Sequence, residues 1–293
     1  MPAAGPLTML MGFVLFGAVP ALLKLALSSG WQASGAVVLR FLVALVLVGA
    51  VALAGKSFGA GSELEVRPVN RTGLLWRGIF GGTAVLTYFY AVQLTGAGLG
   101  TLLNYTHSIW VNVIGVLFLR HRPDKWFWPL LALAALGLWL VVDPQSGQAS
   151  LLGIVVGLVS GIAGGAAVLT IKSLRRTDNA LTINFALTLG GLAVSLPLEG
   201  LRIASQGPPP SALAPALLIV ASAVFSFFGQ LLFNHGFKHT SVALASLLSL
   251  LTPALAALSG WIFLGEALRP HGMLGGLFIL ISCGIMGYRE TNS

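Results

Sequence analysis

The sequence is a succession of long apolar runs with few charges inside them. Hydrophobic residues make up 56% of the 293 positions and charged residues only 8%, whereas soluble domains carry about 25% charged residues. We therefore predict an all-α integral membrane protein. A spanning helix needs roughly 20 apolar residues, and ten transmembrane helices are predicted at about 7–28, 33–54, 72–94, 98–119, 126–143, 150–172, 179–198, 212–235, 241–264 and 270–288.

One stretch of the chain occurs twice. The segment TGAGLGTLLNYTHSIWVNVIGVLFL (Thr95–Leu119) aligns without a gap, 145 positions later, with TSVALASLLSLLTPALAALSGWIFL (Thr240–Leu264). Leucine identities are common in apolar helices, so the paired Thr, Gly and Phe residues carry the signal. Such a repeat predicts two halves of five helices, residues 1–145 and 146–293, which together form one transport unit. Because five is odd, the second half enters the membrane from the opposite side, and inverted repeats are typical of transporters.

The basic residues lie mostly between the predicted helices, which makes the net charge of +8 a topology signal and not an indication of nucleic-acid binding. With a cytoplasmic N-terminus, twelve Lys and Arg residues fall on the cytoplasmic side and two on the other. The twelve are Lys56, Arg67, Arg71, Arg77, Arg120, Arg122, Lys125, Lys172, Arg175, Arg176, Lys238 and Arg289, and the two are Arg202 and Arg269.

The first ten residues contain no Lys or Arg, so the first helix is expected to be retained and not cleaved as a signal peptide.

A polar stripe runs along the fourth predicted helix. Asn104, Tyr105, Ser108 and Asn112 fall within an arc of roughly 100° on a helical projection, and Ser249 lies on the equivalent face of the second copy. A polar stripe in a membrane helix faces protein or a water-filled cavity. Two interpretations stay open, namely hydrogen bonding to neighbouring helices and the wall of a substrate cavity.

Two other helices carry similar stripes. Thr83, Thr87 and Tyr90 share a face of the third helix, and Gln230 lies on a mildly polar face of the eighth. Such hydroxyl, amide and aromatic groups suit a small amphipathic organic substrate better than an ion. The combined stripes predict a central substrate-binding cavity between the two halves.

Lys24 and Arg40 are charges within predicted helices, and each is a candidate partner for a substrate carboxylate. The alternatives are snorkelling of Lys24 to the interface and snorkelling or a structural partner for Arg40. No Asp or Glu lies in the interior of a predicted helix, which favours facilitated diffusion or exchange, or a proton relay through His107. A hydrogen-bonded packing role for His107 is the other interpretation.

Pro20 and Pro253 lie inside predicted helices, where each removes a backbone donor. They predict bends, with either a structural or a gating role. His235 and His239 have the i, i+4 spacing of a metal pair, but no third ligand is evident. No metal, cofactor, obligatory protein partner or enzymatic activity is predicted, because the sequence has no P-loop, HExxH, nucleophile elbow or CxxC motif.

The two copies resemble the fourth and ninth helices of EamA-type members of the drug/metabolite transporter superfamily. The placement of Pro253 and the ending Phe263-Leu-Gly-Glu266 carry most of the resemblance. Ser108 stands where proline is usual in the first copy, which leaves open whether the fourth helix bends. The resemblance implies ten helices, five plus five inverted, with both termini cytoplasmic.

Among members of that superfamily, the chain is similar to bacterial exporters of aromatic amino acids and other metabolites. This implies a secondary transporter in a bacterial inner membrane, which exports amino acids by alternating access. An aromatic substrate ring would stack on Tyr90 or Tyr105, and its carboxylate would pair with Lys24 or Arg40. The alternatives are export of another small organic solute or drug, and a membrane-embedded transferase.

Overall fold

The computed structural model describes residues 4–57, 64–119, 125–142, 150–209, 211–264 and 270–291. Every regular element within these ranges is a helix. In chain order the eleven helices are α1 (Ala4–Ser28), α2 (Ala33–Ser57), α3 (Arg71–Tyr105), α4 (His107–Leu119), α5 (Phe127–Val142), α6 (Leu151–Leu174), α7 (Ala180–Gln206), α8 (Leu213–Gly236), α9 (Val242–Ser249), α10 (Leu251–Leu264) and α11 (Pro270–Thr291).

The all-helical character predicted from the sequence is confirmed. Five of the described helices are long and apolar enough to cross a membrane, namely α1 from Gly5, α2, α6, α7 and α8, and shorter apolar helices cover parts of α5 and of the α9 to α11 region. The third and fourth predicted helices meet within α3, where Gly96 adopts a φ of 84° that favours glycine. The predicted connection at 120–125, the acidic turn at 143–150 and Glu266 fall wholly or largely outside the described residues.

Both copies of the repeated stretch are interrupted near the same point. In the first copy the helix breaks at Thr106, whose N–H and hydroxyl both donate to the Leu103 carbonyl, at 3.3 and 2.6 Å. In the second copy it breaks at Leu250, whose N–H donates to the Leu247 carbonyl at 3.0 Å. These i to i−3 bonds tighten a helical turn. The fourth helix is therefore interrupted by one tight turn without the proline that Pro253 supplies to the second copy, and Thr106 and Leu250 both keep right-handed helical backbone angles.

One predicted boundary is wrong. The seventh helix was expected to end near residue 198, with Glu199 in a connection, but α7 continues to Gln206. Arg202 donates to both Glu199 carboxylate oxygens, at 2.6 and 2.7 Å, so the two charges neutralise each other within the helix. The helix ends where Gly207 takes a φ of 83° and its N–H bonds the Ile203 carbonyl.

The helices of the two halves pack against each other in matching pairs. α3 packs against α6 as α8 packs against α1, and α4 packs against α6 as α10 packs against α1. α5 packs against α11, and α2 against α7. This is the pattern that two copies related by a two-fold axis produce, while the opposite orientation of the copies in the membrane stays a prediction.

Glycines allow the closest of these contacts. A Cβ added to Gly157 on α6 would lie 2.6 Å from Leu103 on α3, and one added to Gly165 would lie 2.8 Å from Trp110 on α4. Small residues let helices approach closely in lipid. α6 is therefore held against the broken part of the first repeat copy, next to the polar stripe.

Candidate functional site

A cavity of about 180 Å³ lies between the two halves. Its lining comes from α1, α2, α3, α4, α6, α7, α8, α9 and α10, so both halves contribute to its wall. The two broken helices reach it at their breaks, through Tyr105 and His107 in the first half and Ser249 and Thr252 in the second. This is where the sequence predicts a substrate site.

Aromatic rings form much of the apolar wall. Phe13 and Phe16 on α1 line the cavity, and the Phe13 ring lies 5.4 Å from that of Phe233 on α8. Tyr88 and Tyr105 of α3 also line the cavity. Rings in this arrangement can stack with, or contact edge-on, an aromatic or aliphatic solute.

Two arginines line the same cavity. The exposed fraction of Arg40 is 9% and that of Arg77 is 3%. The Arg40 guanidinium carbon lies 5.4 Å from the ring centroid of Phe41 and 5.7 Å from that of Phe89. Neither arginine makes a hydrogen bond or an ion pair with any residue that the structure describes. Because no Asp or Glu is among the described lining residues, the cavity is electropositive.

Neutral polar groups of the cavity lining are held in fixed positions by hydrogen bonds. The Asn104 amide donates to the Ser160 hydroxyl at 2.6 Å, and that hydroxyl donates to the Ala84 carbonyl at 2.9 Å. The Gln230 amide donates to the Asn234 side chain at 2.9 Å. Asn104 and Gln230 thus present oriented amides to the cavity, with their outer partners buried in the protein.

A hydrogen-bonded chain joins the two helix breaks. The Ser249 hydroxyl lies 3.2 Å from Nε2 of His107 and 2.9 Å from the Ser108 hydroxyl. Ser108 also donates to the Ser246 carbonyl at 2.9 Å, and Asn112 donates to the Ser246 hydroxyl at 3.0 Å. The polar stripe is therefore divided between two environments. Asn104 and Tyr105 line the cavity, while Ser108 and Asn112 form hydrogen bonds with the other half.

Six of the residues proposed from the sequence are brought together at the cavity, and six are not. Lys24 is exposed near the end of α1, and Thr87 bonds the Thr83 carbonyl at 2.7 Å. Ser108 is fully buried. The lining residues are Pro20, Arg40, Asn104, Tyr105, Gln230 and Ser249, and those outside the lining are Lys24, Thr83, Thr87, Tyr90, Ser108 and Pro253.

Sequence reasoning missed Arg77 and Tyr88. The count of basic residues places Arg77 on the cytoplasmic side, and the stripe predicted on the third helix includes Tyr90 but not Tyr88. A signal was present, because Arg77, Gly81, Ala84 and Tyr88 repeat at i, i+4, i+7 and i+11 and share one face of α3.

The described residues hold no group of three or more His, Cys, Asp or Glu side chains that could bind a metal ion. His235 and His239 lie at the end of α8 and in the turn after it. The polar and aromatic groups that line the cavity are guanidinium groups, amides, hydroxyls, an imidazole and rings.

Known proteins resemble this chain in sequence and in fold. It is 27% identical over 210 residues to the pseudopaline exporter CntI of Pseudomonas aeruginosa strain UCBPP-PA14, covering 72% of each protein. It is 29% identical over 228 residues to an uncharacterized transporter of Archaeoglobus fulgidus, covering 77% of this chain and 79% of the relative. One solved crystal structure matches this chain with a TM-score of 0.76 over 97% of both chains, at 16% identity. This similarity shows a shared fold and nothing further.

The family comparison matches both halves of the chain. The sequence profile of the EamA-like transporter family matches residues 3–143 and again residues 151–288, which together cover most of the protein. This agrees with the all-helical fold, the apolar spans and the central cavity. The chain belongs to the EamA-like transporter family.

Proposed function

We propose that this transporter exports small amino-acid-like metabolites, aromatic ones included, through the cavity between its two halves. The observation that carries the proposal is the composition of that cavity, in which a buried Arg40 lies beside phenylalanine rings and the lining also holds tyrosines and oriented amides. A carboxylate pairs with a guanidinium through strong charge-assisted hydrogen bonds. An amino acid offers that carboxylate together with a side chain that suits the apolar wall.

The roles of individual residues follow from their positions. Arg40 binds the substrate carboxylate, in place of Lys24, which is exposed and lies outside the cavity lining. Tyr105 contacts the substrate side chain, together with Phe13 of α1. The Asn104 amide, fixed by Ser160, orients the bound solute.

Transport proceeds by alternating access, with the two halves as inverted repeats in an inner membrane and both termini in the cytoplasm. The helix breaks at Thr106 and Leu250 support this mechanism, because broken helices at a repeat interface are a common feature of transporter sites. They place interrupted backbone beside a cavity, where its polar groups can be satisfied.

The described lining offers no carboxylate as a proton relay. Exchange or facilitated diffusion is therefore the favoured form of coupling, with His107 as the alternative relay because its Nε2 reaches Ser249. A proton gradient imposed across proteoliposomes distinguishes these two forms. Under exchange, the gradient leaves counterflow unchanged, whereas under proton coupling it drives net uptake.

The test of the function is counterflow into proteoliposomes that hold the purified chain and an unlabelled amino acid. We expect labelled phenylalanine to accumulate, and we expect Tyr105→Leu to reduce the rate about tenfold. The control is Trp139→Leu, which removes an aromatic side chain that is 51% exposed on α5. Absence of counterflow with every amino acid tested would refute the proposal, as would equal rates for these two variants.

Similarity to a pseudopaline exporter favours a second candidate, which is export of pseudopaline or of another small organic solute. Both candidates use the same cavity and differ only in substrate. Including pseudopaline as a competitor in the phenylalanine counterflow assay separates them. Strong inhibition by pseudopaline together with weak inhibition by every amino acid would favour the second.

A further inference from the structure

The charge of the cavity exceeds what a single substrate carboxylate neutralises. Arg40 and Arg77 both line it, each is at least nine-tenths buried, and neither has a hydrogen-bonding or ionic partner among the described residues. The buried Nε of Arg77 is itself without a hydrogen bond. An unpaired charge is strongly disfavoured in a buried site, so a cavity with two such charges is suited to a ligand that brings two negative charges.

Arg77 is directed into the cavity and not toward the nearest membrane surface. It lies six residues after Arg71, the first residue of α3, and a long basic side chain there could extend outward to the interface. Its guanidinium instead lies beside Gly81, one turn further into the membrane, where an added Cβ would come within 2.6 Å of Nη1. Glycine at position 81 thus makes room for this inward orientation.

The depth of each arginine can be estimated along α3. The Arg77 guanidinium lies beside Gly81, and the Arg40 guanidinium lies over Phe89. Eight residues separate Gly81 from Phe89, which is about 12 Å at 1.5 Å per residue. A guanidinium–carboxylate contact occupies about 4 Å at each end. The two guanidinium groups are therefore separated by on the order of 10 Å along α3, which two guanidinium–carboxylate contacts and a short carbon chain can span.

We propose that the cavity takes solutes with two carboxylates, one bound by Arg40 and the other by Arg77. This proposal rests on the export function proposed above and adds to it a preference for dicarboxylic solutes over monocarboxylic ones. The intervening wall is formed by Val85 and Tyr88 of α3, so the segment between the carboxylates meets an apolar surface and one hydroxyl. The alternative use of two arginines is stepwise passage of one carboxylate from Arg77 to Arg40.

The experiment compares glutamate with glutamine, because the two have nearly the same shape and differ by one carboxylate. Each is titrated as an inhibitor of counterflow in proteoliposomes and, separately, as a ligand that raises the melting temperature of the purified protein. We expect glutamate to bind about tenfold more tightly than glutamine, since one charged hydrogen-bonding contact is worth about that factor. Arg77→Gln should reduce this ratio to near one, and Arg77→Lys should retain most of it.

Equal affinity of the wild-type chain for glutamate and glutamine would overturn the dicarboxylate proposal and favour stepwise passage. A ratio that persists in Arg77→Gln would overturn the role of Arg77. If Arg77→Gln does not fold, the proposal is decided by the ratio of the affinities for glutamate and glutamine in the wild-type chain and in Arg77→Lys. Counterflow of phenylalanine without any preference for glutamate leaves the export function intact, whereas absence of both binding and counterflow for every amino acid refutes the export function itself.

Discussion

Substitution of Glu199 by Gln is expected to destabilise the protein strongly, although Glu199 lies outside the cavity lining. Its carboxylate accepts two hydrogen bonds from Arg202, at 2.6 and 2.7 Å, and a third from the Ser34 hydroxyl at 2.7 Å. The exposed fraction is 8% for the Glu199 side chain and 12% for that of Arg202. The substitution leaves the Arg202 charge buried without a counter-ion, and it weakens the link between α2 and α7.

The size of this effect follows from the burial of the pair. Removing one partner of a fully buried ion pair costs about 3–5 kcal/mol. Arg202 keeps some contact with solvent, so we expect a loss of about 2–3 kcal/mol. At about 2–4 °C per kcal/mol for chains of 150–250 residues, the apparent melting temperature should fall by about 4–12 °C in detergent. Adding Arg202→Gln should restore roughly half of the loss, because it removes the unpaired charge.

The matched control is another ion pair, which is exposed. Glu65 lies 3.4 Å from Arg67, and their side chains are 38% and 69% exposed. Solvent-exposed pairs contribute about 0–1 kcal/mol, so Glu65→Gln should shift the melting temperature by about 2 °C or less. Equal shifts for Glu65→Gln and Glu199→Gln would show that burial does not set the strength of these pairs. No recovery in the Glu199→Gln, Arg202→Gln double variant would refute the unpaired-charge explanation.

Two further predictions concern the cavity wall. Gly81→Ala should lower counterflow several-fold, because its Cβ would come within 2.6 Å of both Arg77 Nη1 and Leu187 Cδ1 and these side chains would have to shift. A Cβ at Gly49 meets no atom within 4 Å, so Gly49→Ala should leave counterflow unchanged and stability equal or up to about 1 kcal/mol higher. Ser160→Ala removes the buried hydroxyl that orients Asn104. It should therefore raise the KM of counterflow several-fold and destabilise the chain by about 1–3 kcal/mol. An unchanged KM and an unchanged melting temperature would contradict this prediction.

The fold was largely predictable from the sequence, because its determinants are long and repetitive. Each apolar run specifies a helix almost independently of its neighbours, since every backbone polar group in lipid must be satisfied within its own segment. The boundary errors arose where a tertiary contact changes the local preference. Glu199 and Arg202 were expected to lie in a connection, but pairing with each other and with Ser34 lets α7 continue through them.

The site was only partly predictable, because one helix can carry two polar stripes. On α3 the series Thr83, Thr87 and Tyr90 is as regular as the series through Arg77 and Tyr88. Periodicity identifies a stripe but does not say which neighbouring helix it meets. That choice depends on the packing of α3 against both α6 and α7, which no local pattern in the sequence contains.

The two halves contribute different chemistry to a cavity that both of them line. Among the described lining residues, both cations, both tyrosines and the one histidine come from the first half, while the polar side chains of the second half are hydroxyls and one amide. The groups that could recognise a charged substrate are therefore concentrated in the first half. The second half supplies neutral contacts around its own helix interruption, which lies at nearly the same place in the repeat. The groups are Arg40, Arg77, Tyr88, Asn104, Tyr105 and His107 from the first half, and Ser226, Gln230, Ser249 and Thr252 from the second.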